Sequence, residues 1–286
     1  MDNIFKIKSK KGLVSVIMPV FNGMPQIQLS IKSLLLQTYS DWECIVVNDG
    51  SVDGTKQYLD SLADSRFVIH HFEENKGRPY ARQKGLDLAK GEYMAMLDAD
   101  DFYQPEKLSK QVKILNSNPD VDLVGAGLLS FGSLVPFQRV RGKGSGNICE
   151  YKKNNHIEIT HAPSMIRTEK AKFVEYNINL QFGQDTDFLK RYLINRKYIV
   201  LPEVLYYYSE FDSVNIKKIR KTYYCYLKAN RNNIRFFKYI FKYLLAIFIF
   251  PLVSKNFLLK KRGQTPTQNE QKEFEELYKI LKNQDA

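Results

Sequence analysis

Apolar positions follow two alternating rhythms from residue 13 to about residue 116. Residues 14–20 form a continuous run rich in β-branched side chains, the pattern of a strand buried on both faces. Ile27, Ile31, Leu34 and Leu35 then recur at helical steps, giving one apolar face. The alternation continues with a strand at 42–47, a helix at 55–63, a strand at 67–72, a helix at 79–89, a strand at 93–97, and a helix at 105–115 with proline in its first turn. Strand and helix in this order predict an α/β fold: a Rossmann-like, mostly parallel sheet with helices on both faces.

After a further strand at 121–129 the pattern loosens, and no motif guides the reading between residues 128 and 180. Gly142-Lys143-Gly144-Ser145-Gly146 reads as a mobile loop. Helical spacing returns over 185–195 through Phe188, Leu189, Tyr192 and Leu193, and 200–208 looks like a strand broken by Pro202. Near the C-terminus, Phe274, Leu277, Tyr278 and Leu281 predict a short helix that closes the structure. The expected organisation is a catalytic domain over 1–210 followed by a helical region over 211–286.

Charge sharpens that division. The net charge of +12 is not spread evenly: residues 1–210 hold 27 basic and 25 acidic side chains, whereas 211–262 hold 13 and one. A nearly neutral body with a cationic appendage argues against a nucleic-acid-binding protein, whose basic surface would belong to the body. In 216–248, apolar residues recur at helical spacing beside a row formed by Lys228, Arg231, Arg235, Lys238 and Lys242. This fits a helix lying in the headgroup region of an anionic membrane, and residues 216–262 are expected to attach there; a helix packed on the catalytic domain or a dimerisation helix would show the same stripe. Residues 243–253 carry no charge but are too few to span, since ~20 are needed, and Pro251 interrupts them. The expected location is cytoplasmic, peripheral on the inner face of the cell membrane. Cys44, Cys149 and Cys225 are widely spaced and odd in number, which suits a reducing compartment. The lysines before residue 13 imitate a signal peptide, but Pro19 ends a brief apolar run, so a first strand is expected.

Candidate chemistry collects at predicted strand ends, where open parallel sheets bind ligands. Asp49 follows the second strand within Val46-Val47-Asn48-Asp49-Gly50-Ser51, and Asp98, Asp100 and Asp101 follow the fourth. Carboxylates crowded there call for a cation, and a hard divalent ion completed by substrate phosphates supplies one. Each cluster alone also reads as turn or helix-start chemistry. Both on one framework converge on a single crevice.

These motifs, in this order, resemble the family 2 glycosyltransferases. The resemblance rests on Val16-Ile17-Met18-Pro19-Val20-Phe21-Asn22, on Gln37-Thr38-Tyr39 with the block at 42–51, on Asn75-Lys76-Gly77 with Ala81-Arg82-Gln83-Lys84-Gly85, and on Asp98-Ala99-Asp100-Asp101. It implies the GT-A fold and transfer of a sugar from a nucleotide diphosphate, with UDP the expected carrier. It further implies that Asp49 contacts base or ribose, that Pro19, Phe21, Asn22 and Asn75 line that pocket, and that Arg82, with Arg78 beside it, sits near the nucleotide. Asp100 would hold Mn²⁺ or Mg²⁺, and Asp98 would reach ribose or the ion's water.

Gly183-Gln184-Asp185-Thr186-Asp187 is similar to the family's Glu-Asp motif, which makes Asp185 the expected general base of an inverting transfer to a saccharide or lipid-linked acceptor. Its alternative role is helix N-capping. The chain departs from the family at Gln184, where Glu is usual, and at Ser209, where an Arg or His often helps the diphosphate leave. Either the metal then carries more of the leaving-group charge, or Lys217, Lys218 or a residue of the 142–146 loop substitutes. His161 sits where the family places acceptor-side residues, and a purely structural histidine reads equally well.

Rival functions lack their signatures. Asn22-Gly23-Met24-Pro25 is not a dinucleotide-binding turn, and no phosphate-binding loop occurs. A sugar-nucleotide pyrophosphorylase would carry a glycine-rich basic opening loop, which 21–28 is not. A catalytically impaired nucleotide-sugar-binding module stays open, given Gln184 and Ser209.

Overall fold

The computed structural model describes residues 9–132, 139–152, 159–180, 183–209 and 263–283, with isolated positions between 224 and 244. The amphipathic basic stretch expected at 216–262, including Lys217 and Lys218, therefore lies outside the described residues apart from those positions. Among the described residues no helix is long and apolar enough to cross a membrane.

The first four strands, β1 (Lys10–Val20), β2 (Trp42–Asn48), β3 (Phe67–His71) and β4 (Gly91–Met96), pair in parallel in the order β3-β2-β1-β4. Between them run α1 (Ile27–Leu35), α2 (Thr55–Asp60) and α3 (Arg78–Leu88). Beyond β4 the sheet becomes mixed. The three-residue β9 (Met165–Arg167) lies antiparallel between β4 and β6 (Val121–Phe131), and β6 pairs in parallel with β10 (Lys197–Ser209). The edge is β5 (Phe102–Tyr103), antiparallel to β10, while β7 (Arg139–Arg141) pairs with β6 and β8 (Ile148–Glu150) with β10. The inserted β9 and β5 could not be read from periodicity, because two or three residues carry no rhythm.

Both faces of the sheet are covered, as the alternation requires. On one face Ile27, Ile31 and Leu34 of α1 and Leu108, Val112 and Leu115 of α4 (Lys107–Ser117) pack on Val14, Val16 and Met18. On the other, Leu86 of α3 and Phe188, Leu189, Tyr192 and Leu193 of α6 (Gln184–Leu193) pack on Ile17, Met94 and Met96. Gly85 permits this approach, since a Cβ there would fall 2.3 Å from Ile17 Cγ2. A short α5 (Thr168–Ala171) follows β9.

Two expectations are corrected. Pro202 does not break the last strand: β10 runs through it, and the register shifts between Val200 and Val204, a bulge that leaves Pro202 and Glu203 exposed and needs no proline N–H. The glycine loop at 142–146 is held in place: the N–H groups of Gly144 and Gly146 donate to the Leu201 and Val200 carbonyls, continuing the edge begun by β8. The expected closing helix is present as α7 (Gln268–Asn283), whose Phe274, Leu277 and Leu281 pack with Phe102, Leu129, Val204 and Tyr207.

Candidate active site

The loops at the carboxyl ends of β1, β2 and β4 form one cleft, and side chains of the second loop tie it to the first. Asn22 adopts a left-handed conformation (φ 52°), which asparagine tolerates well. Its N–H donates to Ser51 Oγ at 2.8 Å, its Oδ1 accepts from Val52 N–H at 2.9 Å, and Gly23 N–H donates to Thr55 Oγ1 at 2.9 Å. Gly50 (φ 70°) passes so close to the 74–75 backbone that a Cβ would lie 2.5 Å from the Glu74 carbonyl carbon.

Asp49 is buried at the end of β2, and its two carboxylate oxygens accept the N–H groups of Lys76 and Gly77 at 2.8 and 2.9 Å. It lines the cleft while fixing the segment that carries Asn75 and leads into α3. Two adjoining cavities result. One, of about 260 Å³, is bounded by Pro19, Phe21, Asp49, Asn75, Gly77, Arg78 and Ala81. The other, of about 270 Å³, is bounded by Pro19, Phe21, Asn22, Gln26, Arg78, Asp98, Asp100 and Ser209. Pro19, Val20, Phe21 and Arg78 belong to both, a size and lining suited to a two-part polar ligand.

Arg82 does not line either cavity. It is buried, with 4% of its surface exposed, and Nη2 donates to Asp98 Oδ1 at 3.1 Å. Burial opposes its charge, but the Asp98 and Asp185 carboxylates more than offset this and strengthen its protonation. Reciprocally, burial would push the Asp98 carboxyl up, yet Arg82 and then Arg78 hold it below the usual carboxylate range. The expectation of Arg82 as a direct nucleotide contact thus meets a guanidinium turned inward. Arg78, one helical turn earlier, faces the cleft.

Asp101, which the sequence left without a role, joins β4 to β10. The Tyr206 hydroxyl donates to its Oδ2 at 2.6 Å, and Ser209 N–H to its Oδ1 at 2.7 Å, while Tyr206 Oη also accepts the Asp98 N–H at 3.2 Å. Burial, with Asp100 and Asp98 nearby, pushes the Asp101 carboxyl well above its ordinary value despite those two donors. Asp100 remains exposed on the cleft wall. Among the described residues no three His, Cys, Asp or Glu side chains gather to hold a metal unaided. One exposed carboxylate beside a second is the donor set expected of Mg²⁺ or Mn²⁺ that keeps most of its coordination for substrate phosphates and water. The residues therefore fit an ion that arrives with a diphosphate.

Asp185 is the second residue of α6, half-buried; the N-cap is Gly183, in a left-handed conformation (φ 72°). Asp185 is therefore not the N-cap, although its Oδ1 accepts the first-turn Thr186 N–H at 2.8 Å. Its charge acts on Arg82, on buried His161 and on Tyr176, which groups it with the Asp98 cluster. Gln184 is buried beside it, and a glutamate there would bury a further charge. His161 Nε2 pairs with the Tyr176 hydroxyl at 2.8 Å, and its ring meets Phe188 edge-on. Burial, then Arg82, lowers its pKa to about 4 against the pull of Asp185 and Asp98, so this imidazole is neutral at physiological pH. The 142–146 loop borders a separate cavity with Tyr198 and Val200, and supplies no cation to the cleft.

A strand-end cleft of this kind, with an Asp-X-Asp element, narrows the function but does not by itself name a family. The family model for glycosyl transferase family 2 matches residues 15–177, more than half of the sequence. The chain belongs to this family. An uncharacterised glycosyltransferase of Methanocaldococcus jannaschii is 30% identical over 271 residues, 87% of this chain and 92% of that relative. Escherichia coli WfgD, a UDP-Glc:alpha-D-GlcNAc-diphosphoundecaprenol beta-1,3-glucosyltransferase, is 40% identical over 106 residues. Bacillus subtilis TuaG, a putative teichuronic acid biosynthesis glycosyltransferase, is 41% identical over 107. Each of these two matches spans 37% of this chain and 42% of the relative.

Among solved structures, S. aureus TarS 1-349 in complex with UDP-GlcNAc superposes with a TM-score of 0.59 at 20% identity, over 94% of this chain and 80% of that one. Mannosyltransferase PcManGT from Pyrobaculum calidifontis, in complex with GDP-Man and Mn²⁺, gives 0.53 at 16% identity, over 94% and 81%. At such identities the likeness concerns fold. This glycosyltransferase has the GT-A architecture expected from its sequence.

Proposed function

We propose that this glycosyltransferase moves a sugar from a nucleoside diphosphate, with UDP as carrier, to a hydroxyl of a saccharide or lipid-linked saccharide, inverting the anomeric centre. The observation that carries the reading is the pair of adjoining cavities sharing Pro19, Phe21 and Arg78, one reaching Asp49 and Asn75 and the other Asp98 and Asp100. Base and ribose suit the first, the diphosphate the second. The structural neighbour TarS in complex with UDP-GlcNAc, and the relative WfgD, a UDP-Glc:alpha-D-GlcNAc-diphosphoundecaprenol glucosyltransferase, support the same classes.

Asp100 would hold Mn²⁺ or Mg²⁺, with Asp98 reaching it through water; when bound, the ion would neutralise charge on the departing diphosphate. Arg82 keeps Asp98 ionised and oriented. Asp185 would take the proton from the acceptor hydroxyl as the glycosyl–phosphate bond opens through an oxocarbenium-like state.

Attachment of residues 216–262 to an anionic membrane is part of this proposal and rests on their charge pattern. Liposome flotation of the intact chain and of a chain ending near residue 212 tests it: equal recovery on anionic and neutral vesicles would sink it. The enzymatic reading is tested by nucleotide release from a panel of sugar donors. Wild type should release UDP in the presence of acceptor, whereas Asp185→Asn should bind donor normally with transfer reduced ~10²-fold or more. Donor binding by wild type without any release would favour the impaired binding module instead.

A further inference from the structure

The family's cation after the Leu-Tyr-Tyr-Tyr strand is absent here: residue 209 is serine, and its N–H is already engaged by Asp101. Yet a diphosphate leaving a sugar develops charge that a cleft lined by Asp98 and Asp100 would repel. The geometry points to Arg78 as the residue that grips the diphosphate in this enzyme and offsets the loss at position 209. This deepens the nucleoside-diphosphate-sugar reading above and rests on it.

Three observations carry the assignment. Among the described residues, Arg78 is the single basic side chain on the wall of the cavity that holds Asp98, Asp100 and Ser209, and it also borders the adjoining cavity with Asp49 and Asn75. It therefore stands where the nucleoside and the metal-binding carboxylates would meet, which is where a bridging diphosphate must lie. Its side chain is exposed, whereas Arg82 one turn later is buried against Asp98 and lines neither cavity. Its base is also fixed from below: Asp49 accepts the Lys76 and Gly77 N–H groups immediately before it, and Pro79 follows inside the first turn of α3. A long side chain on an anchored stem can meet two phosphate oxygens with its guanidinium fork without having to order the loop at the moment of binding.

The chemistry of the step needs nothing further. The acceptor oxygen forms the new glycosidic bond, the bond between the anomeric carbon and the phosphate oxygen breaks with its electron pair, and the acceptor proton passes to Asp185. Arg78 would hold the phosphate oxygens as they take up that charge.

The test uses the full chain with Mg²⁺ and compares Arg78→Gln and Arg78→Lys with wild type in titrations of UDP and UMP and in donor turnover. Loss of a charge-assisted contact should weaken UDP about tenfold to a hundredfold. UMP, lacking the second phosphate, should change less than about threefold, and Arg78→Lys, which keeps the charge but not the fork, should recover only part of the UDP affinity. Turnover should fall in Arg78→Gln beyond the change in donor KM, because the charge is largest in the transition state. Equal losses for UDP and UMP would overturn the assignment, as would unchanged affinity for both. If wild type bound no nucleoside diphosphate, the donor reading itself would fall, a result distinct from either.

Discussion

Lys107 supplies the most exacting test of how this fold handles charge. It is fully buried on α4 and, among the described residues, faces no carboxylate: Nζ donates to Gln111 Oε1 at 2.7 Å and lies 4.2 Å over the Tyr103 ring. Burial lowers its pKa from 10.5 to about 7. Between these values the unfolded chain holds a proton that the folded chain releases. Stability is therefore undiminished above pH 10.5, falls as pH drops towards 7, and stays at its reduced level below. The penalty works out at about 4 kcal/mol at pH 7 and about 1 kcal/mol at pH 10. Lys107→Met keeps the reach and removes the penalty, but leaves Gln111 Oε1 without its donor, a loss of about 1 kcal/mol. Gln111 Nε2 keeps its bonds to the Val124 and Pro163 carbonyls. The variant should thus be more stable than wild type by about 3 kcal/mol at pH 7 and roughly equal at pH 10. Urea denaturation at the two pH values measures both differences. A variant less stable at pH 7, or a difference that ignores pH, would refute the reasoning.

Further predictions concern the cleft and its supports. Asp100→Ala should abolish turnover while leaving the fold intact by circular dichroism, and wild type should lose activity in chelator and regain it with Mn²⁺ or Mg²⁺; full activity in chelator would contradict the metal role. His161 should destabilise the protein as pH falls from 6.5 to about 4, since only the unfolded chain takes the proton there; His161→Gln should flatten that limb, worth about 3 kcal/mol at pH 4, and parallel denaturation curves for the two proteins would count against it. Phe274→Ala should cost about 3 kcal/mol in chemical denaturation, because its ring packs within 5.3 Å of Phe131 and 5.4 Å of Tyr207 between centroids. A loss under about 1 kcal/mol would mean that α7 contributes little to the body.

The first half of the fold was legible because each element there obeys a single period. β1, β2 and β4 are buried on both faces and read as unbroken apolar runs, while α1 and α4 each show one face. Legibility ended where strands became short or irregular. β9 has three residues between two long partners, and β10 survives Pro202 by bulging, something a periodic reading takes for a break. In the site, Pro19, Phe21, Asn22, Asp49, Asn75, Asp98 and Asp100 do border one cleft. The two arginines could not be told apart in sequence. Arg78 and Arg82 lie four positions apart on α3, and only packing decides that Arg82 enters the core while Arg78 stays at the mouth.

The same packing sorts the three carboxylates that follow β4. Within four positions, Asp98 is held ionised by Arg82, Asp101 is driven towards its neutral form by burial and by its acidic neighbours, and Asp100 stays exposed in the cleft. Three like charges so close would repel strongly if all were ionised and equally buried. Their separation into three environments leaves Asp100 as the carboxylate most open to a cation, with Asp98 within reach behind it. Tyr206 makes the sorting cooperative, since one hydroxyl donates to Asp101 and accepts the Asp98 N–H. Removing that hydroxyl in Tyr206→Phe should therefore weaken Asp101's hold on Ser209 and shift the Asp98 backbone together. Metal affinity and donor turnover would then fall in concert, although Tyr206 lines neither cavity.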